Sequence, residues 1–223
     1  MHVVPHHWNF GDDASRDNLT LWAYSNAPRV ELLLNGKSLG VRQLPAGSHA
    51  EWNGVRWAAG RLEARALGPT ADGTTEHATS AGLVPPLAAD VVETSGAAAG
   101  LNVSVDFMST EGSLPADGLS ATLLRVTVVD SHGVAVPFAS NLLEFSVDGA
   151  GELFGLGNGD PSSHEHDQAS SRYAFNGLAR ALVRSILGRA GEVKLTVRSA
   201  GLVPGVTSFT TVAPEPRGLA RRS

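Results

Sequence analysis

Hydrophobic and polar positions in this chain alternate over short distances. From Ala121 to Val129, Thr122, Leu124, Val126 and Val128 fall on one side of an extended chain. A period of two marks a strand with one buried face. Earlier, a run beginning at Leu19 carries Trp22 and Tyr24, and Ala27-Pro28 turns the chain. Val30–Leu34 follows, then Asn35-Gly36, then Ser38–Gln43. Asn-Gly between two β-prone runs predicts a type I′ hairpin, because both central residues need positive φ. These two runs are therefore expected to be antiparallel neighbours. Further strands are predicted at His49–Trp52, Arg61–Ala66 and Thr74–Thr79. The second half adds Leu101–Asp106, Leu142–Val147, Glu152–Leu156, Glu192–Val197 and Thr207–Val212, with a turn at Asp130-Ser131-His132-Gly133.

One segment reads two ways. In Asn176–Leu187, Leu178, Leu182 and Ile186 have helical spacing, while Ala179, Ala181 and Val183 share a strand face. Periodicity cannot decide so short a run; its all-β surroundings favour the strand. Even punctuation by 25 Gly and 12 Pro suits sandwiches. The fold expected is all-β, with two tandem immunoglobulin-like β-sandwich domains. The Val84-Pro85-Pro86 segment stops a strand and stiffens a linker. It divides the chain into residues 1–85, 86–214 and a tail, 215–223. Ser80–Pro85 and Ser199–Pro204 share the string SAGLVP, which reads as chance or a common strand-end turn rather than duplication.

The 223 residues suit two such modules, and a 42% hydrophobic fraction supports a core. A net charge of −5 with scattered Lys and Arg argues against nucleic acid. With no cysteine, disulfides, thiolate metal sites and a cysteine nucleophile are excluded. No stretch has the ~18 apolar residues of a membrane span. Met1–Phe10 lacks a basic segment followed by an apolar core, so it does not read as a signal peptide; the compartment stays open.

All four tryptophans, Trp8, Trp22, Trp52 and Trp57, lie in the first module. Trp22, alternating with Tyr24, reads as core. Trp8, Trp52 and Trp57 lie near turns and are the candidates for an exposed carbohydrate platform, against the competing reading that they pack a core or an interface. His2, His6 and His7 read as polar surface, without a third placed ligand for a metal. The densest polar cluster is Gly155–Asp167. Its spacing fits neither a calcium loop of the EF-hand type nor a dinucleotide fingerprint. Asn158, Asp160, His164 and Glu165 are therefore expected to build a structural or interface loop, with no metal and no cofactor. Catalysis of glycoside hydrolysis needs two facing carboxylates. The chain has no strand–helix alternation for a barrel, no G-x-S-x-G and no H-E-x-x-H, so no catalytic residue is assigned.

Specific strings resemble the C-terminal accessory domains of family 2 glycoside hydrolases, the β-galactosidase group. His2-Val3-Val4-Pro5-His6-His7-Trp8-Asn9-Phe10 is similar to the PHWNW-like segment of that family, with an added His7 and Phe10 in place of tryptophan. Leu21–Asn26 and Val30–Gly40 continue the likeness. Gly155–Glu165 and Ala174–Ala179 resemble the family's invasin-like immunoglobulin domain, with His166 replacing the usual proline. The resemblance reaches about Pro214. It implies a catalytic barrel as partner, with the acid/base and nucleophile glutamates in that barrel and not here. The chain is then expected to be non-catalytic, bracing the barrel or mediating assembly, including homodimerisation. Two alternatives are a carbohydrate-binding module anchoring the enzyme and an adhesin-like tandem of immunoglobulin domains.

Overall fold

A computed structural model describes residues 1–10, 17–45, 47–69, 86–107 and 112–214. The expected strand at Thr74–Thr79, Val84-Pro85 of the expected linker and the tail 215–223 lie outside these residues. The described residues form sixteen strands and no α-helix, in two compact units, Met1–Ser95 and Gly96–Ser223. Both are immunoglobulin-like β-sandwiches.

The first unit packs a three-stranded sheet against a four-stranded one. The smaller runs β1 (His2–Val4), β2 (Leu19–Tyr24), β5 (His49–Val55). The larger has the order β4 (Lys37–Gln43), β3 (Arg29–Leu34), β6 (Arg61–Leu67), β7 (Ala88–Glu93). β3 and β4 pair antiparallel, and Asn35 and Gly36 between them have φ of 51° and 78°, as the type I′ turn demands. Val3, Leu21, Ala23, Ala50 and Trp52 from one sheet meet Val30, Leu32, Leu62 and Ala64 from the other. Fully burying each large side chain contributes about 1.5–3 kcal/mol. A hydrogen bond of 2.8 Å from the Val3 amide to Asp90 Oδ2 ties β1 to β7 across the two sheets.

The seam between units lies beyond the Pro85-Pro86 position expected from sequence. Ala88–Glu93 pairs with β6 over its whole length, so its backbone groups are satisfied inside the first unit.

The second unit pairs the sheet β12 (Gly151–Gly157), β14 (Leu178–Ser185), β10 (Ala121–Val129), β8 (Gly100–Phe107) with a five-stranded sheet. That second sheet runs β13 (Ser171–Tyr173), β11 (Leu142–Gly149), β15 (Gly191–Arg198), β16 (Gly205–Val212), β9 (Ser113–Pro115). The pairing of β9 with β16 is parallel; the other ladders are antiparallel. Thr122, Leu124, Val126 and Val128 are all fully buried, as the alternation predicts. The two-way segment is strand β14. It is flanked by β10 and β12, so both its edges are paired, and Ala179, Ala181 and Val183 face Leu143, Val193 and Leu195 in the core.

Candidate functional site

The Gly155–Asp167 segment leaves β12 and is held by its own polar side chains. Asn158 Oδ1 accepts the Asp160 amide at 3.0 Å, and Asp160 Oδ1 accepts the Ser162 amide at 2.8 Å and hydroxyl at 2.7 Å. These are turns made by short side chains bonding the backbone two residues on. Two further bonds anchor the loop to β13. Asn158 Nδ2 donates to the Tyr173 carbonyl at 2.9 Å, and the Tyr173 amide donates to Glu165 Oε1 at 3.1 Å. Glu165 Oε2 also accepts from Ser163 Oγ at 3.1 Å. His164 is exposed at the loop surface. Beneath, the buried Arg172 donates to Asp167 at 2.9 Å and to the Glu165 carbonyl at 3.4 Å. Three of the four predicted loop residues thus share one network.

Around this loop lie apolar side chains left exposed. Leu142 and Tyr173 face one another across β11 and β13, and Phe175 and Leu178 close the hairpin into β14. Phe154 and Leu178 line a groove of about 880 Å³ together with Gly157, Asn158, Asp167 and Arg180. Arg184 lies over the Phe154 ring at 4.3 Å, and Arg125 and Arg180 both pair with Asp106, at 2.6 and 3.0 Å. Sequence reasoning singled out the polar loop but not this apolar rim. Tyr173 and Phe175 at alternate positions, with Leu178 just past the Asn176-Gly177 turn, were the signal available.

The tryptophans reverse their expected places. Trp8 is 0% exposed and Trp52 2%, so neither offers an indole face to a sugar. Trp8 Nε1 donates to the Ala58 carbonyl at 2.8 Å, and its own carbonyl accepts from Thr94 Oγ1 and from Trp57 Nε1. Trp57 is half-buried against the same core. Trp22, read as core, is instead exposed with Tyr24 on the outer face of β2, because Leu21 and Ala23 take the inner face. His49 lies beside both, with ring centroids 5.1 Å from Trp22 and 5.4 Å from Tyr24.

Among the described residues, four carboxyl groups have displaced pKa values, and these four move down. An Arg65 hydrogen bond lowers Glu63; backbone N–H groups, led by Ser120 and Gly96, lower Asp117 and Asp130; the Ser162 hydroxyl lowers Asp160. A glycosidase general acid needs the opposite displacement. Among the described residues, no group of three or more His, Cys, Asp or Glu could hold a metal. His2 and His6 bond to each other at 2.9 Å, while burial, then His6, lowers the pKa of His7.

Residues 106–208 match the profile of glycoside hydrolase family 2 C-terminal domain 5, and residues 17–71 match a domain of unknown function, DUF4982. The chain is 32% identical over 212 residues to beta-galactosidase BoGH2A of Bacteroides ovatus, covering 94% of this chain and 22% of that protein. It therefore spans about a fifth of that relative's length. Among solved structures, a beta-glycosidase from Bacteroides vulgatus superposes with a TM-score of 0.77 at 25% identity, over 94% of this chain and 24% of that one. A glycosyl hydrolase family 2 member from Bacteroides cellulosilyticus gives 0.72 at 28%, over 92% and 24%.

Proposed function

Because this chain carries the C-terminal accessory domains of family 2 glycoside hydrolases, we infer that it is the non-catalytic C-terminal region of a β-galactosidase-like enzyme, bracing the catalytic barrel. The observation that carries this reading is the match of almost the whole chain to about a fifth of a beta-galactosidase. The downward displacement of the four carboxyls shifted among the described residues supports it, since none of these four is held protonated for proton donation at neutral pH. The surface we assign to the barrel is the apolar rim of Leu142, Tyr173, Phe175 and Leu178 around the Asn158–Glu165 loop. Exposed apolar groups gathered beside a rigid polar loop have the anatomy of an interaction surface.

Three measurements test this. Pure chain is expected to leave a nitrophenyl β-galactoside unhydrolysed; turnover abolished by changing one carboxylate of this chain would overturn the reading. An antibody raised against the chain is expected to detect, in its source cells, a protein several times larger than 223 residues. In that protein, Tyr173→Asp and Leu178→Asp should lower the temperature at which activity is lost while leaving KM unchanged. An unchanged inactivation temperature would remove the bracing role from this rim.

A further inference from the structure

The outer face of the β1-β2-β5 sheet in the first unit has a composition unlike an ordinary solvated sheet face. Registry builds it in rows. His2, Tyr24 and His49 stand opposite one another across the three strands, and Val4, Trp22 and Glu51 form the next row. Beyond them Thr20 Oγ1 donates to Asn53 Oδ1 at 2.8 Å, and Asn53 Nδ2 donates to Glu51 Oε1 at 2.6 Å. Trp22 is 38% exposed and Tyr24 41%. Against the Trp22 side lies a groove of about 210 Å³, floored by Val4, Pro5, Phe10 and Leu19.

We propose that this face, with Trp22 and Tyr24 as its stacking surfaces and Glu51, Asn53 and His49 as its polar partners, is a binding platform for a neutral pyranose oligosaccharide. The inference stands on the first unit alone and does not require the barrel partner. Pyranose rings present an apolar C–H face that packs on an aromatic ring and a rim of hydroxyls that seeks donors and acceptors. This sheet offers both within one patch. Trp22 and Tyr24 are two positions apart on one strand, about 7 Å, the scale of one sugar residue. Both rings rest against the His49 imidazole, at centroid distances of 5.1 and 5.4 Å, and a ring with a packing neighbour loses less freedom on binding.

Magnitude decides between a sugar and a protein as occupant. Aromatic side chains present roughly 200 Å² each. At the observed exposures the two rings offer about 160 Å² together, against the roughly 800 Å² that each side of a stable protein interface buries. The other large apolar side chain exposed in this unit among the described residues, Leu87, is not in this sheet. Charge decides the class of sugar. Glu51 places a carboxylate on the face, with His49 3.6 Å away as its partner, so a uronate would meet like charge.

The test is affinity electrophoresis of the full 223-residue chain through gels holding galactan, xyloglucan or glucomannan, with polygalacturonate as the acidic control. Retardation by at least one neutral polysaccharide is expected, weakened tenfold or more by Trp22→Ala and by Tyr24→Ala. Trp52→Phe, inside the core, should leave the retained fraction of folded protein unchanged. Both alanine positions are surface sites, and an unaltered thermal midpoint verifies the fold. The proposal is overturned if no neutral polysaccharide retards the chain, if both alanine variants migrate like the parent, or if polygalacturonate retards it equally.

Discussion

Asn9 and Ser95 exchange hydrogen bonds in both directions. Asn9 Nδ2 donates to the Ser95 hydroxyl at 3.0 Å and carbonyl at 3.2 Å, and the Ser95 amide donates to Asn9 Oδ1 at 3.1 Å. The last residue of the first unit is thus fastened to the segment that inserts Trp8 into its core.

Asn9→Ala should therefore loosen the first unit alone. Loss of a part-buried set of this kind costs about 1–3 kcal/mol. Every tryptophan of the chain lies in that unit, so its fluorescence reports that unit selectively during urea unfolding. The expected result is a lower midpoint by fluorescence; an unshifted midpoint would show the exchange to be energetically idle.

Trp8→Ala and Trp22→Ala should differ sharply. Removing the fully buried Trp8 leaves a cavity and a loss of about 3–5 kcal/mol. Removing the surface Trp22 should stay within about 0.5 kcal/mol. Equal losses, measured by the same urea titration, would contradict the burial assigned to one of them.

Gly177 follows Asn176 in the turn into β14, with φ of 75°. A Cβ there would collide with the Val136 carbonyl oxygen. Gly177→Ala is expected to cost about 2 kcal/mol or more, from both the strained backbone and the collision. At Gly157 an added Cβ meets nothing within 4 Å, and Gly157→Ala should be close to neutral. Circular dichroism melts of the two variants make the comparison; a harmless Gly177→Ala would mean that this turn can rearrange.

Asp130 gives the second unit an acid dependence. Its carboxylate accepts backbone N–H groups of Gly96 at 2.7 Å, His132 at 2.8 Å and Val134 at 2.9 Å. Led by Gly96, they hold its pKa below the ordinary 3.8. Above that value the carboxylate is ionised in both folded and unfolded chains, and its full contribution is present. As pH falls below 3.8 the unfolded chain takes up the proton first, so stability declines until the folded form is protonated too. Asp130→Asn should lower stability at neutral pH and flatten the acid limb of a stability–pH curve. An acid limb as steep as before would assign the dependence to other carboxylates.

Much of this architecture was legible in the residue pattern because its causes are local. Asn35-Gly36 can adopt two successive positive φ values with little strain, so the β3–β4 hairpin and its direction follow from the dipeptide. Thr122, Leu124, Val126 and Val128 repeat at the strand period, and Arg125 and Thr127 between them favour the opposite face for solvent. The Asn158, Asp160 and Glu165 cluster announced an ordered loop through the same short-range side-chain chemistry.

What only the tertiary structure decided depends on partners distant in sequence. In β2 both faces are apolar enough to be core, since Leu21 and Ala23 alternate with Trp22 and Tyr24. Pairing with β1 and β5 turned the smaller pair inward, where the inter-sheet space is already filled by Trp8 and Trp52. Trp8 lies in no strand, so no period could place it. β7 belongs to the first unit because its backbone satisfies β6, a bond pattern that side-chain identity does not encode. Alternation can tell that a strand has two faces; which face is wet is settled by what the rest of the chain brings against it. The sequence by itself thus determined the strands and their turns, while packing chose the aromatic face left open to solvent.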